Sequence, residues 1–189
     1  IPMDPTPVSL LEQLHHPDAN AAWDRFVVLY TPLLRLWAGR LGATGPDAED
    51  LVQDVFTALV TALPGFRYDR DGRFRGWLWT VNRNKCRDRV RRRAGEPPAG
   101  PLTGHDPATA DPAVGFDERE YCDSLTRRAL ELMRTDFDLA TWRAFWETAV
   151  EGRPAVEAAA ELGMTPNAVY LARGRVFRRL RAELAGLLD

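Results

Sequence analysis

Asp50 and Asp54 stand four residues apart, with Gln53 beside them, in a stretch whose apolar residues repeat at helical spacing. Two carboxylates at that spacing share a helix face and repel each other, at a cost of roughly 0.2–0.5 kcal/mol that a basic partner surface offsets. Asp47 and Glu49 extend the acidic cluster. Acids near a helix N-terminus also complement its dipole, which accounts for Asp47, Glu49 and Asp50 without a partner but leaves Asp54 unexplained.

A second group is aromatic and basic. Phe66, Tyr68 and Phe74 are interleaved with Arg67, Arg70, Arg73 and Arg75, and the chain then runs through Arg83, Asn84, Lys85, Arg87, Asp88 and Arg89 to Arg91, Arg92 and Arg93. Aromatic rings offer stacking platforms to unpaired bases, and the cations hold the phosphate backbone. An amide such as Asn84 hydrogen-bonds a base edge. This combination suits melted DNA better than intact duplex. The plain alternative is that Phe74, Trp77 and Trp79 are core residues and that the arginine run is a solvated helix end complementing the dipole.

The third group lies between Arg153 and Leu184 and reads as a helix-turn-helix. Pro154 opens a short helix with small inward residues, Ala155, Ala158, Ala159 and Leu162. Gly163 makes the turn at low steric cost. Thr165 is placed to cap the next helix, with Pro166 at its first position. That helix puts Val169, Ala172, Val176 and Leu180 on one face and Asn167, Tyr170, Arg175, Arg178 and Arg181 on the other. Small residues let two axes approach closely, and a basic outer face fits a DNA major groove. Two ordinary packed helices with a solvated basic side are the bland counterpart.

Chemistry of bond making finds no support. No His and Asp pair accompanies a nucleophile, and there is no phosphate loop and no H-E-x-x-H pattern, so no catalytic residue, cofactor or metal is expected. Cys86 and Cys122 lie in no C-x-x-C pair, and His15, His16 and His105 are not at ligand spacing from them. Two isolated cysteines fit a reducing cytoplasm. No membrane-spanning run or signal-peptide pattern is expected. Net charge is −2 over 189 residues, so the chain is not a basic coat for nucleic acid. Its charge is segregated instead, which points to two partners more than to one.

The elements that must position these groups are helical throughout. A short helix is expected over Val8 to Leu14. Asn20 is placed to cap a longer one with Trp23, Phe26, Val27 and Tyr30 on one side, kinked or restarted at Pro32 and continuing through Leu33, Leu34, Trp37 and Leu41. Thr44 and Asp47 have capping-box spacing ahead of a helix that buries Leu51, Val52, Val55, Phe56, Leu59, Val60 and Leu63. Gly76 precedes a helix that begins apolar at Trp77 and ends basic. Residues 94–115 hold five prolines and no apolar periodicity, and read as a flexible linker. Periodicity returns at Tyr121, Cys122, Leu125, Ala129, Leu132 and Met133, and again at Leu139, Trp142, Phe145, Trp146, Ala149 and Val150.

The order of parts is specific. D-A-E-D-L-V-Q-D-V-F (Asp47 to Phe56) is followed by F-R-Y-D-R-D-G-R-F-R-G-W-L (Phe66 to Leu78), then R-N-K-C-R-D (Arg83 to Asp88), a proline-rich segment and a terminal helix-turn-helix. From Trp23 to Leu184 the chain resembles a bacterial RNA polymerase sigma factor of the extracytoplasmic-function group. The resemblance implies an all-α fold with two small helical domains joined by a linker. The first, at 8–93, is like sigma region 2; the linker is 94–115; the second, at 116–189, is like sigma region 4. It implies core RNA polymerase and promoter DNA as partners, with an anti-sigma protein as a further candidate, and no enzymatic activity. Asp50, Gln53, Asp54 and Phe56 fall in the helix that docks on the coiled coil of the polymerase largest subunit. Phe66, Tyr68, Phe74, Asn84, Lys85 and Asp88 fall where the −10 element is opened and read. Asn167, Tyr170, Leu171, Gly174, Arg175 and Arg178 fall on the helix that reads the −35 element. Leu171 and Gly174 carry no hydrogen-bonding side chain, so readout leans on Asn167, Tyr170 and Arg175 or on DNA shape.

Two competing readings follow from the residues. One is a dimeric helix-turn-helix regulator acting on duplex DNA without polymerase, which leaves the acidic helix and the aromatic stretch unexplained. The other is a helical enzyme or small-molecule sensor with a pocket lined by Trp142, Trp146 and Tyr121, residues that stand at core spacing.

Overall fold

Apolar residues recurring every three or four positions give helices, and every regular element among the described residues is helical. The structure is a computed structural model that describes residues 10–16, 18–63, 66, 73–95 and 116–188. Its elements are α1 (Leu10–Gln13), α2 (Asn20–Arg40), α3 (Pro46–Ala62), α4 (Arg73–Arg93), α5 (Glu118–Met133), a 3-10 turn (Arg134–Asp136), α6 (Leu139–Phe145), a π-turn (Trp146–Val150), α7 (Ala155–Leu162) and α8 (Pro166–Leu184). They form two compact units, one of Val8–Leu125 with Gly186–Asp189 and one that includes Thr126–Ala185. The linker expectation, apart from Ala94 and Gly95, lies outside the described residues, as do Val8 and Tyr68.

In the first unit α2, α3 and α4 pack on one another. Phe26, Leu29, Tyr30, Leu33, Leu34 and Trp37 of α2 are buried against Leu51, Val55 and Leu59 of α3 and Phe74, Leu78 and Trp79 of α4. The start of α5 completes this core. Tyr121 is fully buried and stacks near Trp37, with ring centroids 6.4 Å apart. Its hydroxyl donates to the Leu187 carbonyl at 3.2 Å, so the Tyr30 hydroxyl, 2.8 Å away, is the one that donates to Tyr121. Trp37 Nε1 donates to Glu120 at 3.2 Å, and Arg40 pairs with the same carboxylate at 2.5 Å. Residues as far as Leu125, and the chain from Gly186, therefore belong with the first unit, although sequence reasoning assigned everything from 116 to the second.

The second unit has two adjoining cores. Met133, Trp142, Phe145 and Val176 form one, with Leu130, Phe137, Ala149 and Leu180 against it. Ala144, Ala159, Val169 and Ala172 form the other, flanked by Ala155, Leu162 and Met164. The alanines are what bring α6, α7 and α8 close together.

Several local expectations are corrected. Asn20 is the first helical residue of α2, not its cap; Ala19 holds that position without a side-chain bond. Pro32 lies inside an unbroken α2 and does not restart it. The neighbouring Thr31 hydroxyl donates to the Val27 carbonyl at 2.6 Å in the turn where proline lacks an N–H. Gly45, at φ +55°, precedes α3, and the Thr44 capping box does not form. Val60 is 55% exposed instead of buried. α4 begins at Arg73, ahead of the Gly76 start expected, and this winding turns Phe74 inward. The helix expected over Leu139 to Val150 changes to a π-turn at Trp146, which sequence periodicity did not foresee.

Candidate nucleic-acid interface

The helix-turn-helix of the second unit is built as its residues require. Gly163 ends α7 at φ +63°, a left-handed conformation that L side chains rarely adopt. Thr165 accepts from the Ala168 amide at 3.2 Å, and Pro166 opens α8. Val169, Ala172 and Val176 are fully buried, which fixes the azimuth of α8. Asn167, Tyr170, Leu171, Gly174, Arg175 and Arg178 consequently all lie exposed. Tyr170 and Leu171, at 57% and 61% exposure, are apolar surface that folding leaves uncovered. Arg175 is steadied by a 3.0 Å bond from its guanidinium to the Thr141 hydroxyl. Among the described residues Arg178 and Arg181 have no carboxylate within ion-pair range, whereas Arg179 pairs with Asp136 and Glu183 at 3.2 and 2.7 Å. The outer face of α8 thus keeps free positive charge beside open rings and amides, as binding in a groove requires.

Below this face, Asp138 caps α6 by accepting from the Thr141 amide at 2.8 Å and from its hydroxyl at 2.8 Å. Those bonds hold its carboxyl below the usual range. Glu147, buried in the π-turn, accepts from Arg143 and Arg153, each at 2.9 Å. Arg153 also forks onto Glu161 at 2.7 and 2.9 Å, tying the approach to α7 to its last turn. Trp142 and Trp146 border an open groove of about 790 Å³ with Leu130, Leu139 and several Arg and Glu residues. Tyr121, which the competing enzyme or sensor reading set beside them, is fully buried in the first unit's core.

The first unit presents a different picture. Gln53 is exposed and Phe56 half-buried, its ring edge-on to Phe26 at 6.2 Å. Asp50 and Asp54 share a face of α3 as expected, but that face is met by the basic end of α4. Arg89 bonds Asp54 at 2.9 Å and Asp50 at 3.1 Å. Arg92 reaches Asp54 at 3.7 Å, Arg89 lies 3.9 Å from Asp47, and Arg93 bonds Asp47. The bond from Arg93 holds the Asp47 carboxyl below its ordinary range, and the bond to Asp54 raises the Arg89 guanidinium. The two charge clusters that sequence reasoning gave to separate partners are therefore paired with each other. The signal was present as spacing: Asp47, Asp50 and Asp54 at three- and four-residue intervals on one helix, and on another Arg89 with Arg92 and Arg93 three and four residues beyond it.

Of the aromatic group, Phe74 is 3% exposed and packs edge-on to Phe26 and Tyr30, so its ring is core and is not open to a base. Phe66 is half-buried and lies against Trp77 at 4.6 Å between centroids. The Phe66 carbonyl is 3.1 Å from His15 Nε2. Asn84, Lys85 and Asp88 are half-buried on α4, with Asn84 and Asp88 one turn apart. Two residues before Asn84, sequence reasoning missed Asn82. It is fully buried, and its amide nitrogen and oxygen find no hydrogen-bond partner among the described residues. No cluster of His, Cys, Asp and Glu suited to a metal ion occurs among the described residues, and no helix there is long and apolar enough to cross a membrane.

Comparison with known proteins bears on the whole chain. Residues 26–96 match the family Sigma-70 region 2. The chain is 34% identical to the RNA polymerase sigma factor CnrH of Cupriavidus metallidurans, across 89% of this chain and 87% of that one. It is 32% identical to the ECF RNA polymerase sigma factor ShbA of Streptomyces griseus, across 87% and 88%. For SigD of Mycobacterium tuberculosis, also an ECF RNA polymerase sigma factor, the figures are 31%, 91% and 81%. A solved structure of CnrH in complex with the cytosolic domain of CnrY aligns over 93% of this chain and 94% of that chain at 29% identity, with a TM-score of 0.37.

Proposed function

The chain belongs to the extracytoplasmic-function sigma factors of RNA polymerase, and from that premise we propose how its surfaces divide the work of promoter recognition. As a sigma factor it acts in transcription initiation, with core RNA polymerase and promoter DNA as its partners. The observation that carries the division of labour is the outer face of α8, where buried alanines and valines on one side leave Asn167, Tyr170, Arg175 and Arg178 open on the other. This face reads duplex DNA at the −35 element. Tyr170 and Leu171 make apolar contact, Asn167 and Arg175 hydrogen-bond base edges, and Arg178 neutralises phosphate. Gly174 contributes close approach, having no side chain to hold the helix off the groove.

The first unit handles the polymerase and the −10 element. Asp50 and Asp54, with Gln53 and Phe56 beside them, dock on the polymerase largest subunit. Asn84, Lys85 and Asp88 lie along the melted strand, with Phe66 at the entry to that surface. Phe74 supports the surface from beneath, as its burial requires. Capture of an unpaired base lowers the cost of opening the duplex. The chain makes and breaks no bond in this scheme, and polymerase does the chemistry.

The decisive experiment is transcription from a genomic DNA library by core polymerase with and without the purified chain, with start sites mapped. Shared −35 and −10 elements upstream of chain-dependent starts are expected. Absence of any chain-dependent start under all salt conditions overturns the reading and leaves a duplex-binding regulator as the better account.

A further inference from the structure

Asp50 and Asp54, the carboxylates offered to polymerase, already have cationic partners within their own chain. Arg89 spans both at 3.1 and 2.9 Å, and Arg92 and Arg93 add contacts to Asp54 and Asp47. The same arginines close the basic run of α4 that begins at Arg83 and includes Asn84 and Lys85. One carboxylate oxygen set cannot fully serve an internal guanidinium and an external one in the same geometry. We infer that Arg89, with Arg92 and Arg93, is an internal stand-in for the basic polymerase surface, and that docking exchanges these ion pairs and releases the arginines to promoter phosphates. The inference rests on the reading that Asp50 and Asp54 dock polymerase.

Exposure makes the exchange feasible. The Arg89 side chain is 21% exposed, and Asp50 and Asp54 are 60% and 35% exposed, so each pair borders water and opens without a buried charge being stranded. Arg92 and Arg93 are more than half exposed, so their guanidinium ends border water. Neutralised in the free chain, these cations contribute little to DNA attraction. Released in the complex, each adds a phosphate contact and its share of salt dependence. Polymerase and promoter then bind with positive linkage through charges that neither partner supplies.

The test uses the full chain. Arg89→Gln removes the partner that Asp50 and Asp54 share, and is expected to tighten binding to core polymerase about two- to fivefold. Asp50→Asn with Asp54→Asn frees the arginines, and is expected to strengthen binding of the polymerase-free chain to a promoter fork DNA, with a log–log salt slope steeper by about one to two. Weaker or unchanged polymerase binding by Arg89→Gln, or an unchanged slope in the doubly neutralised chain, overturns the exchange. Should Arg89→Gln fail to fold by circular dichroism, Arg92→Gln with Arg93→Gln carries the same polymerase test. Asp54→Arg separates the two ideas. Full polymerase binding by that variant defeats the docking reading itself, whereas lost binding without any tightening by Arg89→Gln defeats the exchange alone.

Discussion

The two units carry arginine-rich helices in opposite electrostatic states. On α4, Arg89, Arg92 and Arg93 are bound to the acids of α3, while on α8 Arg178 and Arg181 meet no carboxylate among the described residues. Both helices are basic by composition, so composition does not tell a ready DNA surface from a masked one. Neighbours tell them apart. α8 has its back to alanines and valines and its front to solvent, whereas α4 lies alongside an acidic helix. On the proposed reading, the second unit meets duplex DNA as it stands, and the first exchanges its internal ion pairs to engage a partner.

The severest way to break this contrast is Asp54→Arg. It sets a cation against Arg89 and Arg92 and presents the wrong sign to polymerase. Co-purification with core polymerase is expected to fall at least about a hundredfold, a loss of the size seen when a charged contact is reversed, while helix content by circular dichroism is unchanged. Retained association would remove Asp54 from the docking surface. Next in size is Arg178→Ala on α8, expected to weaken binding to −35 duplex DNA about tenfold and to reduce the salt slope by about one. An unchanged slope would mean that this arginine meets no phosphate. Asn84→Ala sharpens the contrast from the other side. Closed-complex formation is expected to change less than about twofold, and promoter opening, followed by permanganate reactivity of unpaired thymines, to fall about tenfold. Equal losses in both assays would count against strand capture.

Smaller effects probe what holds each unit together. Thr165→Ala removes the cap of α8 and is expected to lower stability by about 1 kcal/mol in urea unfolding, with DNA affinity falling only as the helix start frays. Acid tests the pairing on α3. Asp47 has a lowered carboxyl value, so its stabilisation is complete above the ordinary range near 3.8 and is lost as pH falls through the lowered folded value. Melting temperature is therefore expected to hold from pH 7 to about pH 5 and to drop below about pH 4. Asp47→Asn should make that drop shallower; an identical drop would show that the pair contributes nothing measurable.

Much of the architecture was legible because it is local. The apolar repeat of α3, the alanines of α7 and the Gly163–Thr165–Pro166 sequence each state their conformation within a few residues. What escaped was set by distant partners. The helical fate of Phe74 depends on Phe26 and Tyr30, more than forty positions away. Tyr121 joins the first unit because Tyr30, Trp37 and Leu187 await it, and no window around Tyr121 contains them. Pro32 stays within α2 although proline interrupts helices by rule, because the surrounding turns are buried on both sides of it. The candidate surfaces were legible as residue types, but their pairing was not, since a charge stripe announces its spacing without naming the surface that answers it.

The π-turn at Trp146–Val150 ties the second unit's first helices to its last two. One residue more than a regular turn requires has been absorbed there, with Thr148 bonding back to the Ala144 carbonyl at 2.7 Å and Glu147 gathered in by two arginines. Excising one residue from that bulge would restore even winding but disturb the placing of Glu147 between Arg143 and Arg153. Since Arg153 joins Glu147 to Glu161 of α7, the expected cost is a looser seat for the helix-turn-helix on α6.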